Sequence, residues 1–345
     1  MNTSAVITVF NKETEIARAL RSVGNQTVSP NEIIVVDDGS ADKSAEIVEK
    51  IQMPGLRLVR QGNTGVYGSR NRGIIESQYD LIAFLDGDDT WEPGFLEAIK
   101  EMREKYPNCG IYSTAYQTKE TSGETLIPIF RRVPMKGKDG ILENYFITAS
   151  KVPVLSSSSV AVPRKVFNNV GMFTINAGPG GDKEMWMRIA ADFPVAFCNK
   201  ALATWHIDAS NRVSKTCHYR PDPPVVSAGQ YILTREDLAD DIRRGLSVYL
   251  KNQLVFQAVG LILSGKCKMG CKILLQRGIP FSCSVKLFKY LCFRYLPKSM
   301  ALPLCDLDCM IRRNIYKIRQ QDRTNNSIPV KLGKNLEIGK QQQII

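Results

Sequence analysis

Three aspartates lie close together in the segment YDLIAFLDGDDTWEP, residues 79–93. Asp86, Asp88 and Asp89 directly follow a short apolar run that is typical of a buried strand. Adjacent carboxylates repel one another and a turn needs only one, so we expect a cation to balance their charge. Mg²⁺ or Mn²⁺ suits the pattern, because such a cation takes one or two carboxylates and fills its other positions with substrate phosphate and water. The segment therefore predicts a metal site for a phosphorylated substrate, with a simple turn as the alternative.

The same aspartates are compatible with a second chemistry. The string FLDGDDTW fits the D-x-D-x-T signature of haloacid-dehalogenase-like phosphatases, whose first aspartate attacks phosphorus. GGDKE, residues 180–184, also resembles a late acidic motif of that family. However, the signature usually follows the first strand in those enzymes, whereas three predicted strands precede it here. Considered alone, this motif is therefore also compatible with a Mg²⁺-dependent phosphohydrolase.

Strand and helix patterns alternate along the first third of the chain. The predicted strands cover residues 4–10, 33–36, 56–60 and 81–85. Two of the predicted helices cover residues 13–24 and residues 70–76, the second after a glycine-rich loop. A third helix is expected to follow Ser40 as its N-cap, and a fourth is expected to begin at Pro93. This alternation favours an α/β fold with a mainly parallel sheet between two helical layers. Ligands bind beyond the carboxyl ends of such strands, which is where Asp38 and Asp88 lie.

The net charge of +12 comes from the last part of the chain. Residues 1–215 contain 25 basic and 25 acidic residues, so the whole excess falls in residues 216–345. Such asymmetry suggests contact with an anionic surface, and a solvated basic helical face is the alternative. We expect phospholipid and no nucleic acid as the partner, because no recognised nucleic-acid motif accompanies the charge.

The apolar segments and the cysteines predict the cellular location of the protein. The start, MNTSAVITVFNKE, lacks the basic residues and long apolar run of an export signal. The longest apolar stretch, residues 254–263, is too short to span a bilayer. Seven of the nine cysteines lie at or beyond Cys217, and we interpret them as reduced. We therefore expect a cytoplasmic protein, either soluble or peripheral on the inner face of the cell membrane.

Seven segments together resemble the family 2 glycosyltransferases. Those of the first half are TVFNKE (8–13), EIIVVDDGSAD (32–42), GNTGVYGSRNRGI (62–74) and IAFLDGDDTWEP (82–93). Those of the second half are SSSSVAVPRKVFNNVGMF (156–173), GGDKEMWMRIA (180–190) and ATWHIDASNRVS (203–214). The resemblance covers about residues 3–215 and implies the GT-A fold. It departs at Thr8, where many members have proline, and at Gly181, where many have glutamate.

The resemblance, the distribution of charge and the sequence pattern together predict a division of the chain into three parts. A GT-A domain is expected at residues 1–215, where the nucleotide-sugar would bind. Residues 216–319 follow as a basic helical region, and the polar residues 320–345 are predicted to be a disordered tail.

Roles in donor and metal binding follow from the same resemblance. Asp88 would be the principal metal ligand, and Asp86 would lie near the ribose and the metal. A uracil ring has an N3–H donor, which the carboxylate of Asp38 can accept. The other residues expected to contact the donor are Thr8, Phe10, Asn11, Arg70, Gly87 and His206.

Asp182 is the candidate catalytic base. It begins a predicted helix after two glycines that permit close approach, and the resemblance assigns it the base position of the family. Its alternative role is a helix N-cap. A single displacement assisted by one base implies inversion at the anomeric carbon.

Together these features predict an inverting, metal-dependent glycosyltransferase. It would move a sugar from a nucleotide-sugar, with a UDP-sugar expected, to a hydroxyl of a glycan or polyprenyl-linked acceptor. Surface polysaccharide or glycolipid biosynthesis is the expected setting. A phosphohydrolase and a non-catalytic nucleotide-sugar-binding protein are the alternatives.

Overall fold

The computed structural model describes residues 2–178, 180–209 and 223–276, which lie in one compact unit. The predicted polar tail, residues 320–345, lies outside the described residues, as do residues 277–319 of the predicted basic region.

The first four strands form the parallel half of a mixed sheet. Their order is β3 (Leu56–Arg60), β2 (Glu32–Asp37), β1 (Thr3–Val9) and β4 (Leu81–Asp86). Each strand pairs in parallel with its neighbour, and every residue of β2 is buried. All four predicted strands are thus confirmed.

The other half of the sheet contains strands of both directions. Its strands are β5 (Thr90–Trp91), β6 (Ile111–Lys119), β7 (Thr125–Leu126), β8 (Asp139–Ile141), β9 (Val160–Pro163) and β10 (Val195–His206). Strand β9 runs antiparallel to both β4 and β6, whereas β10 runs parallel to β6. The α/β class is confirmed, and the parallel arrangement predicted from the alternation describes the first half of the sheet.

Two hydrophobic cores lie on opposite faces of the sheet, because successive strand residues point to opposite sides. Val6 belongs to one core and Ile7 to the other. The Ile7 core is covered by α1 (Ile16–Gly24), α2 (Ser44–Lys50) and α4 (Phe95–Lys105). The Val6 core is covered by α3 (Gly65–Glu76), α5 (Tyr145–Ala149), α6 (Arg164–Val170), α7 (Gly181–Asp192), α8 (Pro224–Leu233) and α9 (Asp240–Leu263).

Helix α3 begins earlier than the sequence predicts. The expected start was Arg70, but the structure begins the helix at Gly65, inside the predicted glycine-rich loop. The carboxylate of Asp38 explains the difference, because it accepts hydrogen bonds from the backbone N–H groups of Thr64 and Gly65. These donors have no partner within a helix, so a carboxylate from another strand end stabilises the first turn.

The predicted capping of α2 by Ser40 is wrong. The hydroxyl of Ser40 donates to the carboxylate of Asp37. Asp42 instead accepts the backbone N–H of Ser44, the first residue of the helix, at 2.9 Å.

The described helices of the predicted basic region contribute to the core. Helices α8 and α9 bury Val226, Leu246 and Leu250 in the same core as α7. Helix α10 (Cys267–Gln276) follows α9. Across the three described ranges, no helix combines the length and the apolar character needed to cross a membrane. The domain boundary at residue 215 stays a prediction.

A close approach between α3 and β1 gives a test of this packing. A Cβ added at Gly73 would lie 2.2 Å from Cγ1 of Val6, so Gly73→Ala must force the helix from the sheet. Overpacking of this kind costs about 1–3 kcal/mol, which we expect as lost unfolding free energy in urea titrations. Val6→Ala should recover part of the loss. Gly62→Ala is the control, because nothing lies within 4 Å of its added Cβ; equal stability of the two glycine variants would contradict the packing.

Candidate active site

The carboxyl ends of β1, β2 and β4 meet at one edge of the sheet. In the strand register Thr8 is the partner of Asp86, and Val9 is the partner of Asp37. The backbone N–H of Gly87 donates to the carbonyl oxygen of Thr8 at 2.9 Å. Segments that are far apart in the sequence therefore place their polar residues side by side, as parallel topology predicts.

Asp86 is paired with a buried arginine. Its Oδ1 accepts from Nη2 of Arg70 at 2.6 Å and from the hydroxyl of Thr8 at 3.3 Å. Arg70 is only 4% exposed. Burial would lower the pKa of Arg70, but the charge of Asp86, with contributions from Tyr67 and Asp182, raises it overall. The guanidinium is therefore a permanent positive charge in the site.

Asp88 is held by two basic residues of the loop and helix after β1. Nζ of Lys12 lies 2.7 Å from its Oδ2, and Nη2 of Arg18 donates to its backbone carbonyl oxygen at 2.8 Å. Burial raises the pKa of the Asp88 carboxyl, Lys12 lowers it, and the charge of Asp86 raises it further. The net shift is upward, because removal from water and a neighbouring anion outweigh the ammonium group.

The donor set of the predicted metal site is limited to the first two aspartates. No cluster of three or more His, Cys, Asp or Glu side chains in the described parts of the chain has a metal-binding arrangement. Asp86 and Asp88 are nevertheless two carboxylates separated by a single residue, and this spacing fits a cation that takes its remaining ligands from phosphate and water. Gly87 between them is required by packing, since a Cβ there would lie 2.9 Å from the carbonyl oxygen of Thr8.

Asp89 has a structural environment that differs from those of the other two aspartates. It is 2% exposed, its Oδ1 accepts from the backbone N–H of His206 at 3.0 Å, and its Oδ2 accepts from the hydroxyl of Ser158 at 2.5 Å. Burial, with the charges of Asp88 and Asp86, raises the pKa of Asp89 well above its usual range. Asp89 thus joins the turn after β4 to the end of β10 and to the 3₁₀ turn Ser157–Ser159.

His206 uses both ring nitrogens within the protein. Nε2 lies 3.1 Å from the hydroxyl of Thr90, and Nδ1 lies 3.2 Å from Oδ1 of Asp208. Burial and the charge of Arg18 lower the pKa of His206, so the ring is neutral near pH 7. Its predicted contact with the donor stays a prediction.

The predicted nucleotide-base residues lie on the loops after β1 and β2. Both carboxylate oxygens of Asp38 accept hydrogen bonds from the loop before α3, among them that from Nε2 of Gln61 at 2.7 Å. A uracil N3–H would have to share these oxygens. Asn11 joins the two loops, because its Oδ1 accepts the backbone N–H of Ala41 at 2.8 Å. The ring of Phe10 is 39% exposed and remains available for a ligand.

Asp182 is the second residue of α7 and is half-buried. The N-cap is Gly180, with φ of 92°, so the alternative that Asp182 is an N-cap is wrong. A carboxylate in the first turn is favoured by the positive end of the helix dipole. Buried tyrosines lie within electrostatic range, since burial and then the Asp182 charge raise the pKa values of Tyr116 and Tyr249.

One tyrosine that the sequence did not indicate connects the two ends of the site. The guanidinium carbon of Arg70 lies 5.7 Å from the ring centroids of both Tyr67 and Phe173. The hydroxyl of Tyr67 accepts the backbone N–H of Gly181, the residue before Asp182, at 2.9 Å. A chain of contacts thus runs from Arg70 to the helix that carries Asp182. Sequence reasoning missed Tyr67 because it fell in a predicted loop.

Comparison with known proteins identifies the family. Residues 4–171 match the model of Glycosyl transferase family 2. This match covers just under half of the chain, and over these residues the chain is similar to glycosyl transferase family 2. The match contains the aspartates after β4 and ends before Asp182. The predicted resemblance to this family is confirmed, and the segments at 180–190 and 203–214 lie beyond the matched residues.

Curated relatives in this family match part of the chain. A cholesterol galactosyltransferase of Borreliella burgdorferi is 32% identical over 142 residues, which are 39% of this chain and 39% of the relative. The GalNAc(5)-diNAcBac-PP-undecaprenol beta-1,3-glucosyltransferase of Campylobacter jejuni is 29% identical over 132 residues, 36% of this chain and 43% of the relative. The chain covers about a third of the length of the first curated relatives it matches.

Solved structures share the fold of this chain. The structure of S. aureus TarS residues 1–349 in complex with UDP-GlcNAc superposes with a TM-score of 0.61 and 17% identity, over 79% of this chain and 80% of that TarS fragment. The predicted GT-A fold is therefore confirmed.

The environment of Asp89 generates a stability test. Asp89→Ala would leave the Ser158 hydroxyl and the His206 backbone N–H buried without their acceptor, which costs about 1–3 kcal/mol for each group. We expect a fall in unfolding free energy of about 2–4 kcal/mol in urea titrations. The control is Asp80→Ala, which removes an exposed carboxylate just before β4 and should change stability by less than about 0.5 kcal/mol. A loss for Asp89→Ala as small as that for Asp80→Ala would show that the hydrogen bonds of Asp89 do not stabilise the fold.

Proposed function

We propose that the chain is a metal-dependent, inverting glycosyltransferase that moves a sugar from a UDP-sugar to an acceptor hydroxyl. One observation carries this proposal: in a family 2 domain, Asp86, Arg70 and Tyr67 form a continuous run of contacts that ends at the helix bearing Asp182. A donor-binding carboxylate and a candidate base are thereby held by the same set of side chains.

The carboxylates of Asp86 and Asp88 are the proposed ligands of Mn²⁺ or Mg²⁺. When bound, the cation would offset the negative charge that develops on the diphosphate leaving group. Arg70 holds Asp86 by the 2.6 Å ion pair and brings its own positive charge to the same edge of the sheet. The ammonium of Lys12 pairs with Asp88 at 2.7 Å and brings a second positive charge to this edge. Two fixed cations therefore support the orientation of the proposed ligands.

The proposed nucleotide site lies beside these ligands. Thr8, Phe10 and Asn11 follow one another at the end of β1, and Asp38 follows β2. The exposed ring of Phe10 offers a face on which a base can stack. The UDP-GlcNAc complex of TarS, a protein with the same fold, supports uracil as that base.

Asp182 is the proposed base that removes the proton of the acceptor hydroxyl as its oxygen attacks the anomeric carbon. Its place in the first turn of α7 supports this role, because the helix dipole stabilises a negative charge there. One displacement, assisted by one carboxylate, inverts the configuration of the sugar.

The two alternatives make different predictions. A phosphohydrolase is not favoured, since the family 2 match includes the FLDGDDTW motif and Asp86 is engaged by Arg70. It would form a phosphoenzyme at Asp86 and would not need Asp182. A non-catalytic binding protein would bind UDP-sugars with Mn²⁺ but would release no UDP.

Replacing the proposed base tests the assignment. We expect Asp182→Asn to lower the kcat for UDP release from UDP-sugars, measured with Mn²⁺ and polyprenyl-linked glycans, by about 10²–10⁴-fold because proton removal is lost. Binding of UDP with Mn²⁺, followed by thermal shift, should persist. Asp192→Asn is a matched control at the other end of α7, where the carboxylate pairs with Arg235 at 2.6 Å. Equal activity of the two variants would refute the base, and UDP binding without any release by the native chain would refute the enzyme.

The proposed acceptor is a glycan or a polyprenyl-linked saccharide at an anionic membrane surface. The Campylobacter jejuni relative is named for a PP-undecaprenol-linked substrate, which supports a lipid-linked acceptor here. Helices α9 and α10 expose the basic residues Lys251, Lys268 and Lys272 together with Phe256, which is 52% exposed. Such a mixture of cations and apolar side chains suits phospholipid headgroups.

Liposome flotation tests the membrane contact. We expect the chain to float with vesicles that contain phosphatidylglycerol at low salt and to dissociate at high salt, because the attraction is electrostatic. Lys268→Glu with Lys272→Glu removes two positive charges and adds two negative ones, so it should weaken binding to the vesicles by more than about thirtyfold, at about 1 kcal/mol for each positive charge lost. Lys165→Glu on α6, also exposed, is the control. Absence of flotation at low salt would end the proposal.

A further inference from the structure

The hydroxyl of Tyr67 bonds to both sides of a glycine-rich segment before Asp182. It donates to the carbonyl oxygen of Gly178 at 3.0 Å and accepts the backbone N–H of Gly181 at 2.9 Å. The N–H of Gly181 also donates a longer hydrogen bond, of 3.3 Å, to the carbonyl oxygen of Gly178, so it is shared between two acceptors. Tyr67 belongs to α3, so a helix more than a hundred residues earlier in the chain holds the start of α7.

The bond to Gly181 replaces a missing helix cap. The first N–H groups of a helix have no partner within it and are usually satisfied by a side chain at the N-cap. Helix α7 has Gly180 at that position and therefore no capping side chain. The phenol oxygen of Tyr67 supplies the acceptor for the first residue of the helix instead.

Tyr67 also fills the space that a side chain at position 181 would need. A Cβ built on Gly181 would lie 2.7 Å from two carbons of the Tyr67 ring and 2.6 Å from Cβ of Ala177. Glutamate, which many family members have at this position, would collide with both. In this chain, the ring of Tyr67 is therefore compatible only with a glycine at position 181.

The ring of Tyr67 contacts the donor side of the site. It stacks on Phe173 with centroids 6.0 Å apart and planes inclined by 16°. The guanidinium of Arg70, which binds Asp86, lies 5.7 Å from both ring centroids. Burial and the charge of Asp182 raise the pKa of Tyr67, so the phenol keeps its proton and donates to Gly178 throughout the working pH range.

We propose that Tyr67 is the positioning residue for Asp182, because it caps the helix that carries the carboxylate and fixes that helix against Arg70 and Asp86. The inference rests on the proposed function, in which Asp182 acts as base. The phenol does not touch the reacting atoms. It fixes the position of the Asp182 carboxylate relative to the donor. A displacement of about 1 Å there can lower the rate of the chemical step about a hundredfold.

Removal of one oxygen atom tests the role in catalysis. Tyr67→Phe keeps the ring against Phe173 and Arg70 but loses both hydrogen bonds. We expect kcat for UDP release to fall about tenfold to a hundredfold, with the KM for the UDP-sugar changed less than about twofold, because the base and not the donor site is displaced.

A second phenol provides the matched control. Tyr112 on β6 is fully buried, and its hydroxyl donates to the carbonyl oxygen of Tyr106 at 2.6 Å and accepts from Nη1 of Arg103 at 3.0 Å. Tyr112→Phe thus also removes one donated and one accepted bond, but at the amino end of β6. It should lower stability while leaving kcat within about twofold of the native value. Equal kcat values for the two variants would overturn the proposal.

Hydrogen exchange tests the positioning without any need for activity. In the full-length chain, Tyr67→Phe should speed exchange of the Gly181 amide about tenfold, the effect of losing roughly one hydrogen bond. Tyr112→Phe should leave that amide unchanged. Unchanged exchange in Tyr67→Phe would overturn the capping role even if transfer is found. Faster exchange in a chain that transfers no sugar would support the cap and refute the proposed function alone.

Discussion

The guanidinium of Arg70 is removed from water and must be neutralised inside the protein. Asp86 provides this charge at 2.6 Å, and its own side chain is 32% exposed, so it faces both the arginine and the solvent. Loss of one partner from a buried pair typically costs about 3–5 kcal/mol, because the other charge stays uncompensated. The carboxyl end of β4 is therefore fixed relative to α3, and the candidate site is built around this contact.

The three neighbouring aspartates serve different purposes because their surroundings differ. Asp86 neutralises a buried arginine, Asp88 pairs with the Lys12 ammonium, and Asp89 accepts two neutral donors in the interior. Removal from water, together with the charges of the neighbouring aspartates, is a cost that raises the pKa values of Asp88 and Asp89. This cost is consistent with a site that gains from binding a cation.

The helices beyond residue 223 contribute to the surroundings of the candidate base. Tyr249 of α9 is fully enclosed, and the charge of Asp182 adds to the effect of burial in raising its pKa. The ring centroid of Phe256, also on α9, lies 5.1 Å from Nζ of Lys183, the residue after Asp182. In the described residues, α9 thus forms part of the region around Asp182 in addition to covering the sheet.

The sequence by itself determined the parallel strands, the aspartates at their ends and the family, because apolar periodicity and motif spacing are local properties of the chain. It did not determine the start of α3, since the carboxylate that stabilises this start comes from Asp38, just after β2. It also did not indicate the separate environment of Asp89 or the bond from Tyr67 to Gly181. These depend on contacts between segments far apart in the chain, and only the tertiary structure decides which donors and acceptors meet.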